Sequence, residues 1–228
     1  MIGILGAMAP EVASLVARLT DAVTETVAGM EFSKGMLAGK PVVVARCGIG
    51  KVCAGMCVEI MHLRYGVDTV INTGVAGALE PSLSVYDIVV ADRLVQWDVD
   101  TSALGDPVGY LSELRLVEMP CSPHLVKGAE DRLRARALPF ARGAVASGDK
   151  FVADVAEKQR LRRDFDAYAC EMEGGAVAQA AIMNGMDFLV LRAISDTAGA
   201  GSAVEYPVFV KKAAAVMADF VADWVASL

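Results

Sequence analysis

Short runs of consecutive apolar residues constrain the fold of this chain more than any other feature. Residues 2–5 (IGIL), 41–45 (PVVVA), 69–72 (TVIN), 87–91 (DIVVA) and 188–194 (FLVLRAI) are apolar at nearly every position. Strands buried on both faces have this pattern, whereas half-exposed strands alternate apolar and polar residues. The runs therefore predict interior strands of a sheet that is covered on both sides.

Segments with helical spacing of apolar residues separate these runs. We predict helices over residues 11–19, 51–65, 123–138, 156–166, 174–183 and 206–227, and further strands over 143–147 and 167–171. Alternating strands and helices indicate an α/β fold with a central mixed, mostly parallel sheet flanked by helices. Because the chain has neither an internal repeat nor a linker-like boundary, residues 1–228 are expected to form a single domain. The segment 95–120 is predicted to be irregular, and its length favours a functional or interface role.

Charge and composition argue against several classes of protein. The net charge is −7, and the one arginine-dense stretch, residues 132–142, has acidic neighbours and is interpreted as a solvated helix face with a following loop. Nucleic-acid binding is not expected, since it normally needs a clustered basic face. No apolar stretch is long enough to span a membrane without glycine or charge, and no basic segment precedes an N-terminal apolar run. A soluble, cytoplasmic protein is expected.

The cysteines favour a reducing compartment. Five cysteines are an odd number, and they lack the spacing of a disulfide framework. Cys53 and Cys57 lie four residues apart, but His62 and His124 do not complete an evident zinc site. We therefore expect buried thiols, no metal and a cytosolic setting.

Acidic and glycine-rich segments follow the predicted strands. They are Glu11 after the first strand, residues 48–50 (GIG), 74–77 (GVAG) and 171–174 (EMEG), and Asp196 after the last strand. Ligands of open α/β sheets bind beyond the carboxyl ends of the strands, so these segments predict one acidic pocket lined by backbone. Taken singly, Glu11 is also explained as a first-turn acid and Asp196 as a helix N-cap. The glycines match neither the dinucleotide nor the phosphate-loop fingerprint, so no cofactor is expected.

Several strings together resemble one family. They are GAM followed by Glu11, CGIGKV, INTGVAG, DIVVAD, SGDKFV, EMEG and RAISD. They resemble the nucleoside phosphorylase-like superfamily, and within it most closely the methylthioadenosine/S-adenosylhomocysteine nucleosidases. The resemblance runs through nearly the whole chain in order and is weakest over residues 96–123 and 132–142. It implies hydrolysis of the N-glycosidic bond of adenine 5′-thionucleosides, a small-molecule adenine nucleoside as partner, and a homodimer with the 95–120 region at its interface.

The same resemblance implies roles for the catalytic residues. Asp196 would be the general acid that protonates N7 of the leaving adenine, with Ser195 orienting its carboxyl group. Glu11 would be the general base on the attacking water, helped by Arg192. An acid and a base on opposite sides of the sugar fit glycosidic cleavage, which develops positive charge on the ribose. Glu173 would accept a hydrogen bond from a ribose hydroxyl.

The remaining predicted site residues bind the substrate. Met172 would hold the ribose, Phe151 would stack on the purine, and the backbone of Val152 would read its Watson–Crick edge. Met8, Ile49 and Tyr206 would line the sugar and the 5′-thioalkyl end. Val75, Ala76, Gly77 and Glu171 complete the predicted set.

Alternatives remain open at this point. A phosphorylase would bring arginines to the loops at residues 48–51 and 72–77, but these read GIGK and NTGVAG, so water is the favoured nucleophile. A broader purine nucleosidase or an aminodeoxyfutalosine hydrolase would use nearly the same residues. A nucleoside sensor without catalysis is a further alternative, although an acid opposite a base argues against it. Val75, Leu104 and Asp106 depart from the common family pattern, which leaves the preferred 5′ substituent undetermined.

Overall fold

The computed structural model describes residues 1–196, 198 and 206–228, and the side chains of residues 206–209 lie outside this description. The helices are α1 (Ala9–Val16), α2 (Lys51–Tyr65), α3 (Pro123–Ala135), α4 (Val155–Phe165), α5 (Gly174–Met183) and α6 (Tyr206–Val225). The strands are β1 (Ile2–Gly6), β2 (Thr20–Val27), β3 (Met30–Leu37), β4 (Lys40–Arg46), β5 (Thr69–Ala78), β6 (Ile88–Gln96), β7 (Met119–Pro120), β8 (Phe140–Ser147), β9 (Ala167–Glu171) and β10 (Asp187–Asp196). This alternation is the predicted α/β fold.

The strands form one mixed sheet. Strands β4, β1, β5 and β10 lie side by side and run parallel, and β6, β8 and β9 form a second parallel group. Antiparallel pairing of β10 with β6 and of β5 with β9 joins the two groups and closes β5, β10, β6, β8 and β9 into a ring. Because Gly77 of β5 pairs with both β9 and β10, the ring brings the ends of these strands together.

Helices cover the sheet with their apolar sides, as predicted. Helix α6 packs on α1, β5 and β10, whereas α5 packs on β6, β8 and β10 and also contacts α2. Large side chains such as Phe32, Phe220 and Trp224 are almost completely buried in the resulting core. Among the described helices, none combines the length and the apolar character that crossing a bilayer would need.

The hairpin of β2 and β3 was not among the predicted elements. Strand β2 (TDAVTETV) is exposed along most of its length and lies at the edge of the sheet, so it contains no apolar run. It is held in place by antiparallel pairing with β3, which in turn pairs with β4. Pairing with an existing sheet edge, rather than an apolar pattern, therefore specifies this strand.

Several predicted boundaries were wrong. The helix predicted over residues 11–19 spans Ala9–Val16, because Pro10 suits a first helical turn and β2 begins soon afterwards. The loop predicted after the arginine-dense helix is in part strand, since β8 begins at Phe140 and pairs with β6. The segment 95–120 is irregular after Gln96, apart from a short 3-10 turn at Ser102–Leu104 and strand β7.

The cysteines are free thiols, and Cys47, Cys57, Cys121 and Cys170 are buried while Cys53 is partly buried. Burial raises the pKa of the Cys57 thiol to about 12. The Cys57 side chain therefore stays uncharged at neutral pH and packs as a small apolar group.

Candidate active site

A cavity of about 240 Å³ lies at the carboxyl ends of β1, β5, β9 and β10. Of the predicted site residues whose side chains the structure describes, all except Arg192 line it: Met8, Glu11, Ile49, Val75, Ala76, Gly77, Phe151, Val152, Glu171, Met172, Glu173, Ser195 and Asp196. Arg192 is buried behind this lining, and the side chain of Tyr206 lies outside the described residues. Ala7, Lys150 and Cys170 also line the cavity and were not predicted.

Glu11 is fixed at the cavity by the first turn of α1. Its Oε2 accepts a hydrogen bond from the backbone N–H of Met8 at 2.8 Å, which closes the helix start. Its Oε1 accepts from the backbone N–H of Val75 on β5 at 3.0 Å. Burial raises the pKa of Glu11 above its usual value, although the charge of Arg192 and these N–H groups oppose the rise. Glu11 is therefore an immobile carboxylate with increased basicity.

Glu171 ends β9 and caps the following helix. Its Oε2 accepts hydrogen bonds from the backbone N–H groups of Glu173 and Gly174, at 2.9 and 2.7 Å. A carboxylate here satisfies free N–H groups of α5 and complements the helix dipole. Glu171 also accepts from the hydroxyl of Ser147 and from Arg192. Burial alone would favour the acid form, but Arg192 and these donors outweigh it and keep the pKa of Glu171 below its usual value.

Arg192 is a buried cation on the central strand β10. Its side chain is only 2% exposed, and Nη2 donates to Asn72 Oδ1 at 2.5 Å and to Glu171. The same nitrogen lies 3.9 Å from Glu173 Oε2, beyond hydrogen-bonding distance. A buried guanidinium needs pairing and hydrogen bonds, and Nη2 obtains both from Glu171 and Asn72, whereas the buried Nε has no hydrogen-bond partner among the described residues.

Glu173 lies near the Arg192 guanidinium but, unlike Glu171, is not hydrogen bonded to it. Its Oε1 accepts from the backbone N–H of Gly50 at 2.9 Å, which ties the glycine turn before α2 to the cavity. Burial and then the negative charge of Glu171 raise the pKa of Glu173 to about 7. At neutral pH this side chain can therefore either donate or accept a hydrogen bond.

An irregularity in β10 aims two successive side chains at the cavity. Ile194 pairs with Ala76 and Asp196 pairs with Gly77, so that Ser195 is an extra residue opposite β5. In a regular strand, successive side chains point to opposite faces, but a bulge can re-aim one of them. Ser195 and Asp196 both line the cavity in consequence.

Asp196 is bound through both of its oxygens. Oδ2 accepts from the ammonium group of Lys158 at 2.5 Å, and Oδ1 accepts from the Ser195 hydroxyl at 3.0 Å. The Ser195 hydroxyl also lies 3.2 Å from the carbonyl oxygen of Ala76. Because a hydroxyl can turn between acceptors, Ser195 can serve either protonation state of Asp196.

Two glycines on β5 set the distance between the acidic groups. A methyl group at Gly74 would lie 2.5 Å from Glu11 Oε1 and 2.7 Å from Arg192 Nη1, and one at Gly77 would lie 3.2 Å from Asp196 Oδ1. Glu11 and Asp196 therefore contact β5 at points two to three residues apart, which is on the order of 7–10 Å along a strand. A ribose ring with an attacking water needs a gap of this size between an acid and a base.

Loops from two other strands complete the rim. Asp149 Oδ1 accepts from the backbone N–H of Lys51, and Asp98 binds both Lys51 Nζ at 2.6 Å and the Asp149 N–H at 2.8 Å. These bonds hold the glycine turn before α2 beside the loop that carries Phe151. Phe151 is 48% exposed at the cavity, which gives a flat aromatic surface that a planar base can stack on.

Sequence reasoning missed Lys158, Asn72 and Ser147. Asn72 and Ser147 carried a usable signal, since each is a polar residue that ends a buried apolar run, and buried polar groups require partners. Lys158 lies in a hydrophilic stretch (EKQRLRR) and carried no signal that distinguishes it from the arginines around it. Within the described part of the chain, no group of three or more potential ligands is gathered that could hold a metal ion.

Comparison with known proteins agrees with this architecture. The model of the phosphorylase superfamily matches residues 1–226. A 5′-methylthioadenosine/S-adenosylhomocysteine nucleosidase of Shewanella sp. (strain MR-7) is 41% identical over 214 residues, which cover 93% of this chain and 90% of that protein.

Solved structures are equally similar. A 5′-methylthioadenosine/S-adenosylhomocysteine nucleosidase of Helicobacter pylori, in complex with a 4-aminopyrrolo[3,2-d]pyrimidine ligand, superimposes with a TM-score of 0.95 and is 36% identical, covering 100% of this chain and 98% of that one. A structure described as futalosine hydrolase of Helicobacter pylori strain 26695 also has a TM-score of 0.95 and 36% identity, covering 100% of this chain and 97% of that one.

Proposed function

This chain belongs to the phosphorylase superfamily, and we propose that it hydrolyses the N-glycosidic bond of adenine 5′-thionucleosides such as methylthioadenosine and S-adenosylhomocysteine. The products are adenine and the corresponding thioribose. One observation carries the proposal: Glu11 and Asp196 line a single cavity and are held against the same strand, at Val75 and Gly77.

Asp196 acts on the purine in the proposed reaction. As the glycosidic bond breaks, its carboxyl group gives a proton to N7, so that adenine leaves as a neutral base. Ser195 supports this step because its hydroxyl has two acceptors within reach, Asp196 Oδ1 and the Ala76 carbonyl. Phe151 and the backbone of Val152 hold the base, in keeping with their place in the lining.

Glu11 acts on the water in the proposed reaction. Its raised pKa makes it a better base than an exposed glutamate, and its two backbone hydrogen bonds fix its direction. The positive charge that develops on the ribose is stabilised by the surrounding carboxylates. Glu173 and Met172 contact the ribose hydroxyls in this arrangement, and Met8 and Ile49 lie towards the 5′ group.

Water rather than phosphate is the proposed nucleophile. Arg192, which could otherwise clamp a phosphate, is buried and bound to Glu171 and Asn72. Among the described lining residues the one cation is Lys150, and its ammonium group is bound to Glu157 at 2.5 Å. Four acidic side chains line the same cavity, and their negative charge would also repel a phosphate dianion.

The experiment measures adenine or hypoxanthine release from methylthioadenosine, S-adenosylhomocysteine, adenosine, inosine and aminodeoxyfutalosine, each with and without phosphate. We expect fast release from the two thionucleosides that does not depend on phosphate. Release only with phosphate would contradict hydrolysis, and preferential release from aminodeoxyfutalosine would favour the activity named for the second Helicobacter structure. The Asp196→Asn variant, purified in parallel, controls for contaminating nucleosidases.

We further propose a homodimer, for which exposed apolar side chains provide the support. Val52, Met56 and Leu63 form a stripe along α2 and are 73%, 45% and 72% exposed, and Leu104 in the irregular segment is 84% exposed. Side chains spaced by three, four and seven residues lie on one helix face, and exposed apolar faces of this kind commonly bind a second copy. Leu111, by contrast, is buried within its own chain.

The molar mass in solution tests the dimer. Light scattering after gel filtration should give twice the mass of one chain, and Met56→Glu should shift it towards the monomer. Val23→Glu, at an exposed apolar residue on the edge strand β2, is the matched control and should leave the mass unchanged. A monomeric wild-type chain at micromolar concentration would contradict this proposal.

A further inference from the structure

Lys158 is a buried cation for which neither the sequence motifs nor the proposed reaction accounts. It lies on α4, a helix whose other charged residues face solvent to a much larger extent, yet its side chain is only 1% exposed. Its ammonium group lies 2.5 Å from Oδ2 of Asp196, which is itself 9% exposed. Burying two charges is costly, so such a pair needs a reason other than stability.

The position of Lys158 separates it from the substrate. It does not line the cavity, whereas Asp196 does. Lys158 therefore binds one carboxyl oxygen from behind, while the other oxygen, Oδ1, lies beside Gly77 and Ser195. This arrangement fixes the plane of the carboxyl group and orients it relative to the cavity.

We propose that Lys158 is a positioning residue for the acid step, and that its ammonium group stabilises the Asp196 carboxylate as this forms during proton transfer to the purine. The inference rests on the proposed function. In this step the O–H bond of Asp196 breaks, an N7–H bond forms, and the electron pair of the glycosidic bond moves onto adenine. The new carboxylate is buried, so the adjacent ammonium lowers the energy of the product side of the transfer.

Among the described residues, the other titratable groups near the pair do not replace Lys158. Burial raises the pKa of the Cys170 thiol, on β9, to about 12, so that it stays neutral. Glu171, on the same strand, is ionised and bound to Arg192. Glu157, on α4, is bound to Lys150. Glu11 and Glu173 line the same cavity and are present in the wild type and the variants alike.

The first test compares pH profiles of kcat and KM for the wild type, Lys158→Met and Lys158→Arg. An adjacent cation favours the charged form of a carboxyl group, so loss of the ammonium makes transfer of the proton to the purine less favourable. Lys158→Met should lose about 10–100-fold in kcat at neutral pH with little change in KM, and its alkaline limb should move to higher pH. Lys158→Arg should recover most of the rate and the original limb.

The matched control is Arg163→Met, which removes a cation from the exposed side of the same helix. It should leave both the rate and the pH profile unchanged. If Lys158→Met is folded and its alkaline limb coincides with that of the wild type, the proposal is overturned. A loss of kcat in Lys158→Arg as large as that in Lys158→Met would also overturn it.

A binding test separates this inference from the hydrolase proposal. Calorimetry would use two adenosine analogues, one with N–H at the purine 7-position and one with C–H there. Lys158→Met should weaken binding of the N–H analogue about 10-fold or more, because the analogue loses a charge-assisted hydrogen bond to Asp196. Binding of the C–H analogue should be unaffected. A wild type that binds both analogues but releases no adenine contradicts the hydrolase alone. A wild type that binds neither overturns both proposals.

Discussion

Two groups of acidic residues share the cavity and balance their charges differently. In the Arg192 cluster (Arg192, Glu11, Glu171, Glu173 and Asn72), three buried carboxylates surround one guanidinium. In the Asp196 cluster (Asp196, Lys158 and Ser195), one carboxylate faces one ammonium. The three carboxylates of the first cluster cannot all ionise without a large electrostatic cost, whereas the second cluster pairs a single carboxyl group with a single cation.

This difference shows that the protonation of a carboxyl group depends more on its direct hydrogen-bond and ion-pair partners than on its position in the chain. Glu171 and Glu173 are separated by one residue, yet the pKa of Glu171 is lowered and the pKa of Glu173 is raised to about 7. Glu171 is hydrogen bonded to the guanidinium, while Glu173 lies 3.9 Å from it. The Arg192 cluster therefore contains one group, Glu173, that changes protonation near neutral pH.

Loss of the acid should give the largest effect on activity. Asp196→Asn keeps the shape of the side chain but removes the transferable proton, so kcat for methylthioadenosine should fall by about 10²–10⁴-fold. Stopped assays of adenine release measure the loss, and an unchanged melting temperature shows that the variant is folded. Turnover close to the wild-type rate would remove Asp196 from the acid role.

Loss of the buried guanidinium should give the largest effect on stability. Arg192→Met leaves Glu171 buried without its cation, which should reduce the free energy of unfolding by about 3–5 kcal/mol. Urea denaturation measures it. The matched control, Arg142→Met, removes an arginine of the more exposed pair with Asp92 and should cost less than about 1 kcal/mol. If both variants lost the same free energy of unfolding, burial would not explain the cost of breaking the Arg192 pair.

Alanine substitutions of two β5 glycines compare the clusters directly. At Gly74 a methyl group would press on both Glu11 and Arg192, so kcat/KM should fall about 10²-fold. At Gly77 the contact with Asp196 is looser, and a loss of about 10-fold is expected. Steady-state kinetics on methylthioadenosine provide both values. The opposite order would show that the Asp196 cluster tolerates displacement less well.

The smallest effect concerns the pH dependence of stability. The pKa of Glu173 is raised from 4.5 to about 7 in the folded protein. Its contribution to the free energy of unfolding is therefore complete below pH 4.5 and is lost as the pH rises through about 7. The glutamine of Glu173→Gln cannot ionise. Between these pH values the free energy of unfolding of the variant should therefore fall by about 2 kcal/mol less than that of the wild type. Urea denaturation at pH 5 and pH 7.5 measures the difference, and parallel losses in both proteins would contradict the raised pKa.

Most of the cavity lining could be predicted, because the residues that bind a ligand in an α/β sheet lie at the carboxyl ends of its strands. Apolar runs located β1, β5 and β10, and the polar or glycine residues after each run indicated where a ligand would contact the sheet. The edge strand β2 could not be predicted in this way, since it has no apolar run and depends on pairing with β3.

The protonation of the site could not be predicted, because it depends on neighbours that are distant in sequence. Lys158 lies 38 residues before Asp196, and Arg192 lies 120 residues after Asn72, but each pair is in direct contact. The bulge that turns both Ser195 and Asp196 towards the cavity is likewise a property of pairing with β5.

By itself, the sequence determined the α/β alternation, the family and the identity of most residues that line the cavity, because local apolar patterns and motifs encode them. Only the tertiary structure decided which cation each carboxylate binds. Coulomb interactions depend on distance and burial, and both are set when the ring of β5, β10, β6, β8 and β9 closes and brings α4 behind Asp196.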